Sequence, residues 1–152
     1  MDPRIDHWAV SPELMKGLMG FNIKVERNGL EASLRHLVKL RASQINGCAF
    51  CVELHGREAR GDGESAERLA LLSVWRESYL FTPRERAALA WTEAVTTLDR
   101  DRPDDELFKR VRGEFSEEEL VTLTALIAVI NAWNRLAVAF GAVHAPPREK
   151  AA

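Results

Sequence analysis

Two cysteines and a histidine lie within eight residues of one another in the stretch 43–55, SQINGCAFCVELH. Cys48 and Cys51 are the only cysteines among 152 residues, and His55 follows the second at a spacing of four. If Cys48 begins a helix, each residue turns by about 100°, and the three side chains fall within an arc of roughly 60°. Residues at i and i+4 touch, so His55 can exchange a proton with Cys51. The spacing supplies two thiols that can bridge and a base beside one of them.

The predicted helix start offers a second way to ionise a thiol. Unpaired N–H groups and the helix dipole favour a thiolate in the first turn, where Cys48 lies. The helix terminus therefore favours ionisation of Cys48, whereas the histidine contact favours Cys51.

Other uses of a Cys-x2-Cys pair fit the chain less well. A structural disulfide would close a four-residue loop, worth about 2 kcal/mol before strain is subtracted. A structural zinc site lacks its second cysteine pair, although His55 with His36 or His144 could complete four ligands at an unusual spacing. A c-type haem site needs histidine where Val52 stands, and a thioredoxin-like motif needs a neighbouring βαβ pattern. Polar neighbours argue against two inert core thiols: Ser43, Gln44, Asn46 and Glu53. Redox chemistry is the leading hypothesis.

The composition restricts the class of protein. Hydrophobic residues make up 46% and charged residues 29%, as in ordinary globular domains, and a net charge of -2 gives no electrostatic footprint for nucleic acid. The N-terminus MDPRIDHWAV lacks the pattern of a secretory signal, and the most apolar stretch, 120–130, is about half the length that crosses a bilayer. Two cysteines in such a chain favour a reducing compartment. We therefore expect a cytoplasmic protein with no nucleic-acid or membrane partner.

Helical spacing of apolar residues dominates, which predicts an all-α fold in a single domain over residues 1–152. Capping boxes and proline at the first helical position mark several starts. We predict about six or seven helices: 12–27, 34–45, 48–59, 65–77, one from 82, a short one from 102, and 116–140. No internal repeat or domain linker interrupts them.

The stretch LVKLRASQINGCAFCVELH, residues 37–55, resembles the signature of the alkylhydroperoxidase AhpD-like proteins, within the carboxymuconolactone decarboxylase family. The similarity extends through LLSVWRESYLFTPRERAALAWTEAV to FSEEELVTLTALIAVINAWNRLAVAF and covers most of the chain. The resemblance implies an AhpD-like helical domain that assembles as a homo-trimer or homo-hexamer. It implies reduction of small hydroperoxides, with a dithiol or thioredoxin-like protein as the reductant and no metal, flavin or haem cofactor.

The same resemblance assigns roles to the three residues. Cys51 corresponds to the cysteine that attacks peroxide, Cys48 to the thiol that resolves the sulfenic acid as a disulfide, and His55 to the proton relay. The contact between Cys51 and His55 agrees with this assignment, whereas the helix terminus favours Cys48. We follow the histidine contact, because an adjacent base can act during the reaction itself.

His36 departs from the family pattern. The peroxidase members carry a glutamate twelve residues before the first cysteine, where it completes the relay, and His36 stands at that position here. A histidine can shuttle protons near neutral pH but cannot supply the fixed negative charge of a carboxylate. We therefore expect a catalytic set of Cys48, Cys51, His55 and His36. The presence of histidine instead of glutamate at position 36 affects the expected rate of peroxide reduction more than the assignment to the family.

The remaining conspicuous residues are assigned structural or undetermined roles. Helix packing or a subunit interface is expected for Trp75, Trp91 and Trp133, and buried polar contacts for Arg76, Arg135 and Asn131. Three glutamates could approach the thiols, namely Glu77, Glu85 and Glu93. Solvated positions are expected for His7 and His144.

Two other functions compete with peroxide reduction. A lactone decarboxylase, as for γ-carboxymuconolactone, needs proton transfer but has no need of two thiols. A non-enzymatic redox sensor or scaffold would use the disulfide to change its assembly, and would be oxidised by peroxide without turning over.

Overall fold

The computed structural model describes residues 2–98 and 102–143, and within them the fold is all-α, without a strand. These two described ranges contain eight α-helices, in chain order: α1 (His7–Val10), α2 (Pro12–Glu26), α3 (Ala32–Ile45), α4 (Ala49–Gly61), α5 (Ala66–Leu71), α6 (Pro83–Thr96), α7 (Asp105–Glu114) and α8 (Glu117–Phe140). A 3-10 helix, Leu72–Glu77, follows α5. The sequence predicted about six or seven helices, and the four-residue α1 is the main addition.

Local capping explains why α6 and α8 begin where they do. The Thr82 hydroxyl accepts a hydrogen bond from the Glu85 amide at 3.2 Å, and the Glu85 carboxylate accepts one from the Thr82 amide at 2.8 Å. Ser116 and Glu119 form the same reciprocal pair at the start of α8. Each pair satisfies two N–H groups that the helix itself cannot bond. Both starts confirm the predicted capping boxes.

The prediction of a single continuous helix over residues 65–77 is wrong. α5 ends at Leu71, and Val74 has φ -120° and ψ 27°, outside the helical region. The tighter 3-10 segment places Trp75 against α6, where the buried indole donates a hydrogen bond to Glu93 at 2.9 Å. The apolar spacing continues across this kink, so periodicity could not reveal it.

Helix α8 lies at the centre of the domain and packs against α2, α3 and α6. Its buried face includes Leu123, Leu126 and Ile127, which meet Leu34 and Val38 of α3 in the main core. The helix has 24 residues, and an 18-residue stretch within it has a mean hydropathy of 1.5, so by length and composition alone it could cross a membrane. Core helices also satisfy these criteria, and ten of the 24 residues of α8 are buried inside the domain.

Candidate functional site

Side chains from α8 hold the turn between α3 and α4 through buried hydrogen bonds. The Asn46 amide nitrogen lies 3.0 Å from the Asn131 carbonyl oxygen and 2.9 Å from that of Asn134. It also lies 2.9 Å from the backbone oxygen of Ala42. Asn134, which is fully buried, donates to the Ser43 hydroxyl at 3.0 Å. The central helix therefore fixes the turn that leads into the cysteines.

This turn delivers Cys48 to the start of α4. Gly47 has φ 65°, a left-handed conformation that glycine adopts without strain. The Cys48 amide then donates to the Ser43 backbone oxygen at 3.0 Å. Cys48 is the N-cap, and its sulfur accepts a hydrogen bond from the Cys51 amide at 3.3 Å. The sequence placed Cys48 in the first turn, one position too far into the helix.

Cys48 and Cys51 are joined by a disulfide, with their Cα atoms 5.3 Å apart. Both side chains are buried, at 2% and 3% exposure. Of the two, Cys51 lines a large pocket formed by the described residues, and Cys48 does not. The pair is therefore asymmetric, because Cys51 is the sulfur that faces the pocket.

His55 lies one helical turn beyond Cys51 and lines the same pocket, with 9% of its surface exposed. Its Nδ1 atom is 2.9 Å from the Glu58 carboxylate, one turn further along α4. The other ring nitrogen, Nε2, has no hydrogen-bond partner among the described residues. The structure thus brings together the predicted residues Cys48, Cys51 and His55, and adds Glu58, which the sequence analysis did not single out.

A chain of charges extends from Glu58 to two neighbouring helices. Lys39 of α3 is buried, and its Nζ atom lies 3.6 Å from Glu58 and 2.9 Å from Glu26 of α2. The hydrogen bond from His55 is the largest cause that lowers the pKa of Glu58 to about 2. Partial burial opposes this effect, and the positive charge of Lys39 adds to it. Glu58 therefore stays ionised across the physiological pH range.

His36 occupies the same pocket but has a different partner. Its side chain is buried, and Nε2 lies 2.7 Å from the Asp62 carboxylate just after α4. Its Nδ1 atom is buried without a hydrogen-bond partner in the described part of the chain. His36 is therefore near the predicted site, while Glu58 makes the direct contact with His55.

The pocket has a volume of about 990 Å³, and its wall is largely aromatic and aliphatic beside Cys51. Trp8 of α1 stacks on Trp133 of α8 with ring centroids 5.8 Å apart, and both line the pocket. Trp133 packs against the main core, as the sequence predicted, and it also forms part of this wall. His7, expected in solvent, is half-buried, stacks on Phe140 at 5.8 Å and also lines the pocket. His144 lies outside the described residues.

Other conspicuous residues of the sequence lie apart from the thiols. Trp75 and Trp91 are buried in the core as expected. Glu85 pairs with Arg68 at 2.6 Å, and Glu93 pairs with Arg41 at 2.8 Å, in contacts that support α6. Glu77 is exposed. Among the described residues, no group of three or more histidine, cysteine or acidic side chains is arranged to hold a metal.

The family model of the carboxymuconolactone decarboxylases matches residues 12–94, which span α2 to α6 and contain both cysteines and both pocket histidines of α3 and α4. The chain belongs to the carboxymuconolactone decarboxylase family. Within this family it is AhpD-like, as the sequence motifs indicated.

Two relatives match this chain along almost its whole length. The uncharacterized protein YdfG of Bacillus subtilis is 38% identical over 141 residues, covering 93% of this chain and 96% of its own. A protein of unknown function from Agrobacterium tumefaciens, with a suggested antioxidant-defence role as AhpD, is 46% identical with a TM-score of 0.92. The match covers 96% of this chain and all of that one.

A more distant solved structure shares the fold of this chain, and the likeness extends to the fold alone. The AhpD core of an uncharacterized peroxidase-related protein from Ralstonia eutropha is 22% identical, with a TM-score of 0.79. That match covers 91% of this chain and 75% of the other. The same helical fold is therefore kept although most of the sequence differs.

Proposed function

We propose that this protein is a dithiol peroxidase that reduces small hydroperoxides through Cys48 and Cys51. One observation carries the proposal: Cys51 and His55 both line the pocket, while Cys48 does not line it and is bonded to Cys51. A peroxide in the pocket would therefore meet one sulfur first. The second sulfur is already positioned to complete a disulfide.

The first step is attack of the Cys51 thiolate on the hydroperoxide. His55 accepts the thiol proton, and the thiolate sulfur displaces the distal oxygen of the O–O bond. Sulfur loses two electrons and becomes a sulfenic acid, while the other oxygen leaves as an alkoxide. The alkoxide then takes the proton from His55 and departs as an alcohol, or as water when the substrate is hydrogen peroxide.

The second step forms the disulfide, which an external reductant then returns to two thiols. The Cys48 thiol attacks the sulfenic sulfur of Cys51, forms the S–S bond and releases water. An external dithiol, or a thioredoxin-like protein, then exchanges with the disulfide and takes the oxidation onto its own sulfurs. Cys48 suits the role of the thiol that attacks the sulfenic acid. It lies at the helix N-cap, where the Cys51 amide and the helix terminus favour a thiolate.

His36 is proposed as an outer member of the proton relay. It lines the same pocket, and its charge when protonated contributes to the lowered pKa of Glu58. His36→Ala should therefore slow turnover without abolishing it. Turnover equal to that of the wild type would assign His36 to packing with Asp62.

The proposal includes an assembly and a location. We propose a homo-trimer or homo-hexamer, and self-association is supported by exposed apolar side chains on α1 and α2 outside the pocket, namely Val10, Leu14 and Phe21. We also propose a cytoplasmic location, where reducing partners can return the disulfide to its thiols.

Peroxide consumption with a panel of dithiol donors tests the proposed function. We expect the wild type to turn over many equivalents, Cys51→Ser to turn over none, and a chelator-treated sample to match the wild type. One stoichiometric oxidation without turnover for every donor would favour a redox sensor. Loss of activity on chelation would favour a metal site, and inertness to peroxide would reopen the lactone decarboxylase hypothesis.

A further inference from the structure

The direct partner of the proposed proton relay is a carboxylate on α4. We infer that Glu58 is the positioning residue for His55, because it accepts a hydrogen bond from Nδ1–H and so leaves Nε2 to serve Cys51. This inference rests on the proposed peroxidase function for its catalytic consequence. The histidine geometry that it describes can be measured without any activity.

The contact between His55 and Glu58 selects one form of the neutral ring. A carboxylate accepts hydrogen bonds and does not donate them, so the nitrogen 2.9 Å from Glu58 must carry the proton. The unprotonated nitrogen is then Nε2, which is the form that can accept a proton from a thiol. His55 follows Cys51 by one turn on the same helical face, so the two side chains are neighbours. The unprotonated Nε2 atom is therefore on the side chain next to the reactive sulfur of Cys51.

Glu58 is itself held by side chains from other helices. Its carboxylate is paired with buried Lys39 of α3, whose nitrogen is also bonded to Glu26 of α2. The two salt bridges and the histidine contact therefore link three helices at the pocket wall. Such support restricts the carboxylate to one region of space, which an isolated pair on a helix surface would not do.

The charge of Glu58 also has a chemical consequence. When His55 takes the proton of Cys51, the ring becomes a cation in a pocket whose wall also carries the charged side chains of Lys39 and Glu26. A fixed anion at Nδ1 stabilises that cation and so favours formation of the thiolate. For histidines that ligate a metal, loss of the group that orients the ring typically costs roughly 10- to 100-fold in activity, and the contact between Glu58 and His55 is of the same kind. We expect a loss in this range for the first oxidation step.

Glu58→Gln is the most informative variant, since it keeps the size and an acceptor oxygen but removes the charge. The rate is measured as loss of thiols when fully reduced protein is mixed with hydrogen peroxide or cumene hydroperoxide, which requires no reducing partner. The matched control is Glu53→Gln, a charge loss on the same helix at an exposed pair with Arg57. We expect roughly 10- to 100-fold slower oxidation for Glu58→Gln, partial rescue in Glu58→Asp, and the wild-type rate for the control.

Nitrogen-15 NMR of the imidazole rings supplies the readout that does not depend on activity. In the wild type, neutral His55 should carry its proton on Nδ1, and Glu58→Ala should shift the population towards Nε2–H. Wild-type His55 protonated on Nε2, or equal oxidation rates for the two glutamine variants, would overturn the inference. If no variant or wild-type protein reacts with peroxide, the proposed function fails, and the tautomer still decides the role of Glu58.

Discussion

Replacement of Asn134 by alanine tests whether the central helix holds the turn that presents the cysteines. The Asn134 side chain has no exposed surface, and it joins two residues of the α3–α4 turn region. It donates to Ser43 at 3.0 Å and accepts from Asn46 at 2.9 Å. Alanine removes both hydrogen bonds and leaves a small void at the same place.

The expected cost follows from these contacts. Two hydrogen bonds contribute about 2 kcal/mol together, at a net value of about 1 kcal/mol each. Asn46 keeps its bonds to Asn131 and Ala42, and Ser43 keeps its bond to Lys39, so no buried group is left wholly unpaired. The lost packing adds about 1 kcal/mol. The free energy of unfolding should therefore fall by about 3 kcal/mol, which corresponds to a Tm lower by roughly 6 to 12 °C for a chain of this size.

Urea denaturation followed by circular dichroism measures this loss for the oxidised and the reduced protein. Asn28→Ala is the control, because this exposed asparagine makes a single side-chain hydrogen bond within the described part of the chain, to Thr122 of the same helix α8. The control should cost less than about 1 kcal/mol. If Asn134→Ala costs no more than the control, the buried network does not hold the turn, and the account of how Cys48 is placed would be refuted.

Three further predictions address the pocket, the charge of Glu58 and the assembly. Trp133→Ala should slow oxidation by cumene hydroperoxide more than oxidation by hydrogen peroxide, because it removes the aromatic wall shared with Trp8; equal effects in thiol-loss kinetics would argue against substrate contact. Because the pKa of Glu58 is lowered to about 2 from 4.5, its stabilising contribution is present above about pH 4.5 and is lost as the pH falls through 2. Glu58→Gln should therefore destabilise the protein at pH 7 and lose this effect near pH 2 in denaturation curves, whereas a constant difference would contradict the lowered pKa. Light scattering at micromolar concentration should return the mass of three or six chains, and a monomer would count against the proposed assembly.

The features that the sequence predicted correctly have local causes. Capping boxes at Thr82 and Ser116 involve residues three apart, and the apolar stripe of α3 repeats within a few turns, so both can be recognised without knowledge of the fold. The spacing of Cys48, Cys51 and His55 is local for the same reason. The sequence alone is therefore enough to predict these two helix starts, the apolar stripe of α3 and the grouping of the three side chains.

The features that were missed depend on contacts between distant segments. Trp133 and His7 enter the pocket because α1 packs across the end of α8, which no local pattern indicates. The kink at Val74 follows from docking of Trp75 on α6. Glu58 is three residues from His55 and was visible in principle, yet such pairs also occur on exposed helix surfaces. The link to Lys39 and Glu26 distinguishes it, and that link requires three helices.

The most direct test of the central claim is to identify which sulfur first carries the oxidised oxygen. Reduced wild type, Cys48→Ser and Cys51→Ser are mixed with one equivalent of hydrogen peroxide, trapped with a sulfenic-acid reagent and analysed by peptide mass spectrometry. The account predicts a trapped sulfenic acid on Cys51 in Cys48→Ser, a rapid disulfide in the wild type and no fast oxidation of Cys51→Ser. A sulfenic acid on Cys48 of the Cys51→Ser protein, formed at the wild-type rate, would contradict it.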